Sequence, residues 1–465
     1  MESWLKFVDD EKRRLIFGNE ETFEAAKAYD KKRTVHAGIR GKNVEADKTM
    51  SVWQAEAKAK HSFEDACVYI NIPFCQTKCT YCGFFKNLSD ASLIDDYTEA
   101  LTGEIADAKN TPLYSHGKVR AVYIGGGTPG TLSAMQIEKM LKAVRESLPL
   151  SNDCEITFET RTYQFGADKI QACVDNGVNR FSLGVQSFDT KARRAIGRVD
   201  SGEKVMEMVS RLISMKEASV SLDFIFGLPH QPVETFLNDI HTADCLGVDG
   251  MAVYQLNVFE GGKMDEGIKK GKTEAVPETS RQYEYHSAAY EMLSDMGYSQ
   301  LSMSHWVRGT LDRSIYNRFT KSGCVLHAFG AGAGGRTENY GYFVHPAVTP
   351  YNMMRAKGIK PVMGLSEKNI MSGLYEFING QMDTGILRFD TAERLFGINL
   401  KSIFAPLTES WEKRGLVTVG ERAMRLLPAG QFWYVNMTQA LLDILELIHS
   451  QGVYEPVSDK IAAQG

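Results

Sequence analysis

The stretch of sequence that decides the fold is residues 67–82, which read CVYINIPFCQTKCTYC. Its first six residues are mostly apolar or β-branched, and such a short run is typical of a buried strand. Cys75, Cys79 and Cys82 follow that strand directly, so their thiols share one short loop. Three thiolates placed in this way can converge on a single metal centre.

Three kinds of metal centre are compatible with this cysteine loop: a structural zinc site with a fourth ligand, a ferredoxin-type cluster with a fourth cysteine, and a four-iron cluster with one open iron. No further cysteine lies nearby, and the nearest histidines, His61 and His116, are far along the chain. The spacing therefore favours an iron–sulfur cluster over zinc. The scattered cysteines are predicted to be small core residues: Cys67, Cys154, Cys173, Cys245 and Cys324.

Around the cysteine loop, short strand-like runs alternate with amphipathic helical stretches. The predicted strands are Cys67–Ile72, Val119–Ile124, Glu155–Glu159, Arg180–Gly184, Val220–Ile225 and Met251–Leu256, and the helices between them are Leu93–Ala108, Ser133–Ser147, Asp168–Asn176, Gly202–Met215 and Val233–Cys245. Repeated strand-helix units predict a parallel sheet with right-handed crossovers, because a parallel partner is reached only by crossing a face of the sheet. Six units suit an open partial barrel or a doubly wound sheet.

The sequence pattern divides the chain into four segments. They are an N-terminal extension (1–60), the strand-helix repeats (61–262), a connecting and substrate-pocket region (263–362) and a C-terminal, mainly helical domain (363–465). In the extension, residues 21–33 are predicted to form one helix. In the last domain, residues 414–417 enter a strand-like run, which predicts a β-wing and a winged-helix-like domain. The predicted fold class is α/β, with a partial (β/α)6 barrel at its centre.

Composition excludes several classes of protein. Of the 465 residues, 43% are hydrophobic and 24% are charged, which excludes a wholly disordered or low-complexity chain. The formal net charge of -5 gives no overall basic field, so we expect no nucleic acid as a partner. No apolar run approaches the roughly 18 residues of a membrane span, and the first residues do not resemble a secretion signal. We therefore expect a cytoplasmic protein without a membrane partner.

Polar or glycine-rich residues stand at the carboxyl ends of the predicted strands, where parallel barrels build their active sites. Gly125–Pro129 would let the backbone approach the charged amino acid end of a ligand. Glu159 suits an amino group, Arg198 suits a carboxylate and Asp223 suits ribose hydroxyls. The other two strand-end side chains in this series are Gln186 and Asn257.

The cysteine spacing, with Tyr81 before the last cysteine, is identified as that of radical S-adenosylmethionine (SAM) enzymes. Over residues 67–260 the chain resembles the oxygen-independent coproporphyrinogen dehydrogenase group, in the segments Tyr69–Cys75, Gly125–Pro129, Ser182–Phe188 and Asp223–Pro229. The resemblance implies a radical SAM barrel and a [4Fe–4S] cluster on Cys75, Cys79 and Cys82, with one iron open to SAM. It also implies a SAM site at Tyr69, Tyr81, Gly126, Gly127, Thr128, Glu159, Gln186, Arg198, Asp223 and Asn257.

Three branches of this group differ near the last cysteine. Phe84 stands where the coproporphyrinogen dehydrogenases carry a further cysteine, and Gly83 stands where the heme chaperones usually carry an acid. The segments that resemble the third branch, the heme-utilisation radical methyltransferases, are 34–40, 82–85 and 314–318, the last of which leads to the glycine loop 330–335.

The third branch implies a radical SAM methyltransferase that methylates a heme meso carbon and opens the macrocycle without dioxygen, releasing iron and an anaerobilin-type product. One SAM would yield an adenosyl radical and a second would supply the methyl group, so two SAM molecules are expected. A flavodoxin or a similar low-potential donor would supply electrons. The alternatives are an oxygen-independent coproporphyrinogen III dehydrogenase and a heme-binding chaperone that retains the cluster.

The region 263–362 contains candidates for contact with heme. His305, His327 and His345 are candidate iron ligands, although each also suits an ordinary packing role. The candidate partners of the propionates are Arg308, Arg313, Arg318 and Arg336. The glycine loop 330–335 fits the G-x-G-x-x-G pattern of a dinucleotide site, but no convincing helix follows it. We therefore prefer close approach of this loop to heme or to a second SAM.

Overall fold

The computed structural model describes residues 4–33, 37–39, 41–83 and 87–452. The elements of the N-terminal extension are α1 (Asp10–Phe17), β1 (Lys42–Asn43) and α2 (Thr49–Lys58), with 3-10 turns at Trp4–Phe7 and Ala25–Lys27. The helix predicted over residues 21–33 is wrong, since only the three-residue turn forms there. The buried ring of Tyr29 packs 5.5 Å from that of Trp433, so tertiary contact overrides weak local helix propensity in this segment.

All six predicted strands of the central sheet are confirmed. The elements from residue 65 onward are β2 (Asp65–Ile72), β3 (Phe74–Cys75), β4 (Asn87–Leu88), α3 (Ala91–Asp107), α4 (Pro112–Ser115), β5 (Lys118–Gly126), α5 (Ala134–Ser147), β6 (Leu150–Thr160), α6 (Ala167–Asp175), β7 (Arg180–Gln186), α7 (Thr190–Ala195), α8 (Gly202–Met215), β8 (Ser219–Phe226), α9 (Val233–Leu246) and β9 (Gly250–Gln255). The strands β2, β5, β6, β7, β8 and β9 pair in parallel, in that order. This arrangement is the predicted partial barrel.

The two faces of the barrel strands have different surroundings, because successive side chains of a strand point to opposite faces. On β2, Val68, Ile70 and Ile72 are fully buried in a core that includes apolar residues of α3 and α5. On the other face, Tyr69 stacks on Tyr123 of β5 with ring centroids 6.3 Å apart. The helix-covered face is therefore apolar, while the barrel interior carries polar and aromatic side chains.

The sheet continues beyond residue 262 at both edges. The later elements are α10 (Lys263–Lys269), α11 (Thr279–Asp295), β10 (Ser299–Gln300), β11 (His305–Val307), α12 (Ile315–Lys321), β12 (Val325–Phe329), β13 (Gly334–Arg336), β14 (Tyr340–Val344), α13 (Val348–Arg355) and β15 (Val362–Glu367). β11 and β10 extend the sheet next to β9, while β12 pairs in parallel with β2 and leads to β13, β14, β15 and β1. The region 263–362 thus hydrogen-bonds to the barrel sheet, and its boundaries stay a prediction.

The C-terminal domain is mainly helical with a small β-wing, as predicted. Its elements are α14 (Ser372–Asp383), β16 (Ile386–Arg388), α15 (Phe389–Phe396), α16 (Leu400–Lys413), β17 (Val417–Val419), β18 (Ala423–Leu426), α17 (Pro428–Phe432) and α18 (Tyr434–Ser450), with β16, β18 and β17 forming an antiparallel sheet. The N-terminal extension packs on this domain, where Trp4 Nε1 donates to the Ile403 carbonyl at 2.7 Å. Within the described ranges, no helix is long and apolar enough to cross a bilayer.

Candidate active site

The cysteine loop lies at the carboxyl end of β2. Cys75 and Cys79 are buried, and Cys82 is half-buried. Two backbone hydrogen bonds hold the loop in place: the Thr80 N–H donates to the Ile196 carbonyl at 3.1 Å, and Met264 donates to the Thr80 carbonyl at 3.1 Å. The segments that follow β7 and β9 therefore fix the position of the cysteines.

Two side chains donate hydrogen bonds to the sulfur of Cys75. Thr128 Oγ1 lies 3.4 Å from Cys75 Sγ, and Arg161 Nη2 lies 3.6 Å from it. Burial raises the pKa of the Cys75 thiol, while Arg161 and Thr128 oppose that effect. Cys82 and Cys79 raise this pKa further, which means that the three thiols lie within electrostatic reach of one another.

The donor set fits an iron–sulfur cluster better than a single metal ion. Among the residues that the structure describes, no three His, Cys, Asp or Glu side chains gather closely enough to hold one ion. A [4Fe–4S] cubane needs a different arrangement of ligands from a single ion. Each cysteine binds a separate iron, so the cysteine sulfurs lie apart from one another around the cluster. Hydrogen bonds to a ligating sulfur are a usual feature of such sites. The ligand roles of Cys75, Cys79 and Cys82 stay a prediction.

The glycine segment after β5 closes over the end of β2. Gly126 has a φ of +111°, and a Cβ on it would stand 2.0 Å from Asn71 Oδ1. A Cβ on Gly127 would stand 2.5 Å from the Phe74 carbonyl oxygen. Only glycine lets the two strand ends meet this closely. The segment therefore reaches the cysteine loop and places Thr128 on the cysteine sulfur.

Two half-buried carboxylates face the barrel interior, Glu159 near the end of β6 and Asp223 within β8. Desolvation and, to a smaller extent, the charge of Asp223 raise the pKa of Glu159 to about 7. Desolvation raises the pKa of Asp223 to about 6 in spite of the opposing charge of Arg180. Ser182 Oγ donates to Asp223 Oδ2 at 3.5 Å. A ligand that donates hydrogen bonds here would stabilise the ionised carboxylates, since these are pure acceptors.

Three strand-end side chains have buried polar atoms without a hydrogen-bond partner in the described part of the chain: Gln186 Oε1, Arg198 Nε and Asn257 Oδ1. Gln186 Nε2 and Arg198 Nη2 both lie beside Gly184, at 3.0 and 3.4 Å from where its Cβ would stand. Buried polar atoms are paired in the great majority of cases in native proteins. Unpaired atoms at neighbouring strand ends therefore match the binding of a polar ligand such as SAM.

The two predicted tyrosines contact this set of residues. Arg198 Nη2 donates to Tyr81 Oη at 3.2 Å, which orients the guanidinium. Tyr69 Oη donates to Asn71 Oδ1 at 3.1 Å. The structure thus brings the ten predicted SAM residues to β2 and the carboxyl ends of β5 to β9 and their loops. Their roles in SAM binding stay predictions.

Two arginines of this site were missed by the sequence analysis. Arg161 follows β6 directly and contacts Cys75. Arg193 of α7 is buried, and its Nη1 donates to the carbonyls on either side of Gln186, at 2.7 and 2.9 Å. Gln186 has a φ of +70°, and these bonds hold that turn. Arg161 is signalled by its place at a strand end, whereas Arg193 has no signal that distinguishes it from other helix arginines.

His305, a candidate heme ligand, lies in a buried charge network inside the barrel. Its Nε2 is 2.8 Å from Asp312 Oδ2, and Arg180 Nε donates to Asp312 Oδ1 at 2.8 Å. Although burial raises the pKa of Asp312, Arg180 and His305 together hold it well below its usual range. One nitrogen of His305 is therefore engaged by the protein, and its role as an iron ligand stays a prediction.

The other heme candidates are not brought together. His327 lies on the helix-covered face against the rings of Tyr114 and Phe63, and burial lowers its pKa to about 3. Arg318 is exposed. The remaining candidates contact protein groups: His345 with Ala347, Arg308 with Asp244, Arg313 with Asp153 and Arg336 with Glu376. Their roles toward heme also stay predictions.

The glycine loop 330–335 is tied to the end of β2. Asn71 Nδ2 donates to the Ala331 carbonyl at 2.6 Å, and the Gly330 N–H donates to Glu104 Oε2 at 3.0 Å. β13 begins at Gly334, where a dinucleotide site would need a helix, in agreement with the rejection of that alternative. The branch-specific Phe84 and most of the segment 34–40 lie outside the described residues.

The barrel and its strand-end side chains define a class of protein. The family model of the Radical SAM superfamily matches residues 69–243 of this chain. These residues include the cysteine loop and the strands β5 to β8. The solved structure of coproporphyrinogen III oxidase (HemN) from Escherichia coli, a radical SAM enzyme, has the same fold, with a TM-score of 0.72 at 22% identity over 84% of this chain and 92% of that one. The chain belongs to the radical SAM superfamily, whose cofactors are a [4Fe–4S] cluster and SAM.

Relatives place the chain in the heme-related group of that superfamily. Anaerobilin synthase of Escherichia coli O157:H7 is 32% identical over 415 residues, which are 88% of this chain and 91% of that protein. Oxygen-independent coproporphyrinogen III oxidase of Bradyrhizobium diazoefficiens is 32% identical over 298 residues, or 61% of this chain and 65% of that protein. The heme chaperone HemW of Bacillus subtilis is 28% identical over 373 residues, or 78% and 95%.

Proposed function

We propose that the protein is a radical SAM methyltransferase that methylates a meso carbon of heme and opens the macrocycle anaerobically, releasing iron and an anaerobilin-type product. The extent of the likeness to anaerobilin synthase carries this proposal. That likeness covers 88% of this chain, so it runs far beyond the barrel, whereas the coproporphyrinogen oxidase match at the same identity covers 61%. Heme-related names among the relatives support heme as the substrate.

Cys75, Cys79 and Cys82 would hold the cluster, which supplies the electron that cleaves SAM when both are bound. The side chains around the loop prepare that site. Arg161 and Thr128 donate to Cys75 Sγ and so stabilise negative charge on the sulfur. Cys75 and Cys79 are buried, so these two sulfurs are shielded from solvent.

Other side chains of the chain orient SAM. Arg198, held by Tyr81, presents an unpaired Nε to the SAM carboxylate, and Gln186 presents an unpaired Oε1. Glu159 accepts from the amino group once it ionises, and Asp223 accepts from ribose hydroxyls. The roles of Arg198 and Gln186 use atoms that lack protein partners in the described part of the chain.

Two SAM molecules take part in the proposed reaction, because one is cleaved and another is the source of the transferred methyl carbon. A flavodoxin or a similar low-potential protein supplies the electrons. A cytoplasmic location is proposed because none of the eight cysteines, all of them described, is paired in a disulfide, as in reducing compartments.

The test is anaerobic incubation of the reconstituted protein with heme, SAM and reduced flavodoxin, followed by mass spectrometry. A methylated linear tetrapyrrole and free iron support the proposal. Conversion of coproporphyrinogen to protoporphyrinogen would instead indicate a coproporphyrinogen dehydrogenase, and bound but unaltered heme would indicate a chaperone. With methyl-deuterated SAM, deuterium in 5′-deoxyadenosine is the expected sign that a second SAM supplies the methyl carbon.

A further inference from the structure

A cavity of about 480 Å³ opens between the sheet and the C-terminal domain. Its size falls within the range of small-molecule sites. The floor of this sheet cavity is formed by Leu326 of β12, Gly334 and Arg336 of β13, and Gly341 of β14. The end of α12 and the helices α14 and α18 form the opposite walls.

The floor residues lie on one face of the sheet. Arg336 is the register partner of both Leu326 and Gly341, and Gly334 is two residues from Arg336 along the same strand. Leu326 is in turn the parallel partner of Cys67, whose side chain faces the barrel interior. The sheet cavity is therefore the lateral continuation of the interior face of the barrel.

The two floor glycines are not explained by packing within the protein. A Cβ on Gly334 would have Phe343 Cδ2 as its nearest neighbour at 3.9 Å, and a Cβ on Gly341 would have the Ser366 carbonyl oxygen at 4.0 Å. By contrast, a Cβ on Gly335, which points to the other face, would stand 2.2 Å from the Tyr342 ring. Glycine weakens a strand, and it often marks close approach by a ligand. A bare backbone floor suits a flat molecule.

Cationic side chains lie at one side of this floor. Arg336 uses Nε and Nη2 on backbone carbonyls, which leaves Nη1 3.6 Å from Glu376 Oε1. Lys321 Nζ lies 3.6 Å from Asp383 Oδ1. The distance from Arg336 Nη1 to Glu376 exceeds the roughly 2.7–2.9 Å of a charge-assisted hydrogen bond. A carboxylate in the cavity can therefore make a closer contact with Arg336 Nη1 than Glu376 does.

The cavity lining also interacts electrostatically with groups nearer the cofactor end of the barrel. Tyr434 and Asp383, which line the cavity, interact electrostatically with each other. Although Tyr254 on β9 is 44% exposed, partial desolvation raises its pKa, and the charges of Asp223 and Tyr434 raise it further. Tyr254 therefore stands within electrostatic reach of both the cavity and the carboxylate proposed to hold the ribose of SAM.

We infer that the sheet cavity binds a planar, mostly apolar macrocycle that carries carboxylates, with one face on Gly334 and Gly341 and the carboxylates toward Arg336. This inference rests on the proposed function, since heme is the substrate with both features. The edge opposite the carboxylates then points along the sheet face from Leu326 toward Cys67 and the barrel interior. Arg336 is thus the one arginine among the four sequence candidates that we assign to a propionate.

The test is a heme titration of the reconstituted full chain, followed by the Soret difference spectrum under anoxic conditions. Gly334→Leu places a side chain on the floor, and its heme Kd is expected to rise at least about tenfold. The matched control is Gly103→Leu on α3, where a Cβ meets nothing within 4 Å. Gly341→Val is a second floor variant, and iron content and thermal unfolding confirm that each protein is folded.

Two arginine variants test the proposed orientation of the macrocycle in the cavity. Arg336→Met is expected to weaken heme binding about tenfold, as for the loss of a hydrogen bond to a charged group, but to leave binding of heme dimethyl ester unchanged. Arg313→Met is the control, because Arg313 is exposed and faces Asp153. Equal losses for heme and its ester would contradict the assigned orientation.

The outcomes separate this inference from the proposed function. Wild-type heme affinity in both folded floor variants would overturn the inference, and so would a wild-type chain that binds no heme. Loss of SAM affinity instead of heme affinity would assign the cavity to SAM and overturn it too. If the floor variants lose heme as expected but the wild type forms no methylated tetrapyrrole, the proposed function fails while the cavity assignment stands.

Discussion

The long polar side chains at the two ends of the barrel interior differ in whether the protein supplies partners for them. At the carboxyl ends of the strands, Gln186 Oε1 and Arg198 Nε are buried without partners among the described residues. At the amino end of β7, Arg180 and His305 both engage Asp312 at 2.8 Å. An unpaired buried group costs stability, while a satisfied network rigidifies the core. The first end is therefore arranged for a ligand, and the second for structure.

The largest expected effect is at the ligand end. Cys79→Ala removes one of the three proposed cluster ligands, and we expect complete loss of the cluster absorbance and of reductive SAM cleavage. Iron analysis and detection of 5′-deoxyadenosine measure the two losses. Cys245→Ala is the matched control, because Cys245 is exposed and remote from the loop in sequence. A Cys79→Ala protein that still cleaves SAM would contradict the cluster assignment.

At the amino end of β7, the substitution Arg180→Met leaves Asp312 ionised and buried with only His305 as a partner. Breaking a buried ion pair in this way is expected to lower the free energy of unfolding by about 3 kcal/mol. Urea unfolding of the wild type and the variant measures the difference. SAM affinity of the folded protein should change far less than stability. A large loss of SAM affinity with little loss of stability would reverse the roles assigned to the two ends.

Arg198→Met makes the converse test at the ligand end. The variant loses the guanidinium proposed to bind the SAM carboxylate, so the Kd for SAM is expected to rise at least about tenfold. Its unfolding midpoint should shift less than that of Arg180→Met, because Arg198 Nε has no partner among the described residues to lose. Isothermal titration and thermal unfolding measure the two quantities. Comparable destabilisation by both variants would remove the contrast between the ends.

The smallest expected effect is a pH dependence of SAM binding. Because burial raises the pKa of Glu159 to about 7, its folded ligand-free form is protonated at lower pH. Ionised Glu159 is the better acceptor, so SAM affinity should rise about tenfold from pH 6 to pH 8. The raised pKa of Glu159 also lowers the free energy of unfolding of the ligand-free protein as pH rises through 7. The reason is that this carboxyl ionises more readily in the unfolded chain than in the folded one. Glu159→Gln should flatten the affinity profile, whereas the surface variant Glu138→Gln should keep it.

Much of the fold could be predicted from local patterns. The six central strands and the wing are encoded by short apolar or β-branched runs that can be recognised without knowledge of the neighbours. The helix predicted at residues 21–33 failed because contact between Tyr29 and Trp433, distant in the chain, decided that segment. The extension of the sheet by β12 to β15 was not predicted either, since parallel pairing of β12 with β2 joins residues about 260 positions apart.

The part of the candidate site that lies at strand ends could be predicted from the sequence. Glu159, Gln186 and Asp223 follow from that rule, because the carboxyl ends of parallel strands meet at one edge of the sheet. Arg193 did not, since its importance lies in two backbone carbonyls that it contacts only after α7 packs. The contact of His305, a candidate heme ligand, with Asp312 was not predicted either, because it cannot be recognised from the spacing of the two residues.

By itself, the sequence determined the cysteine loop, the strand-helix repeat and the superfamily, because all three are encoded by residues close together along the chain. The tertiary structure decided which buried polar groups have partners and which do not. Arg180 and Asp312 are 132 positions apart in the chain, yet they lie 2.8 Å apart in space. Hydrogen bonds and ion pairs act over a few ångströms, so only folding shows which polar atoms are satisfied by the protein.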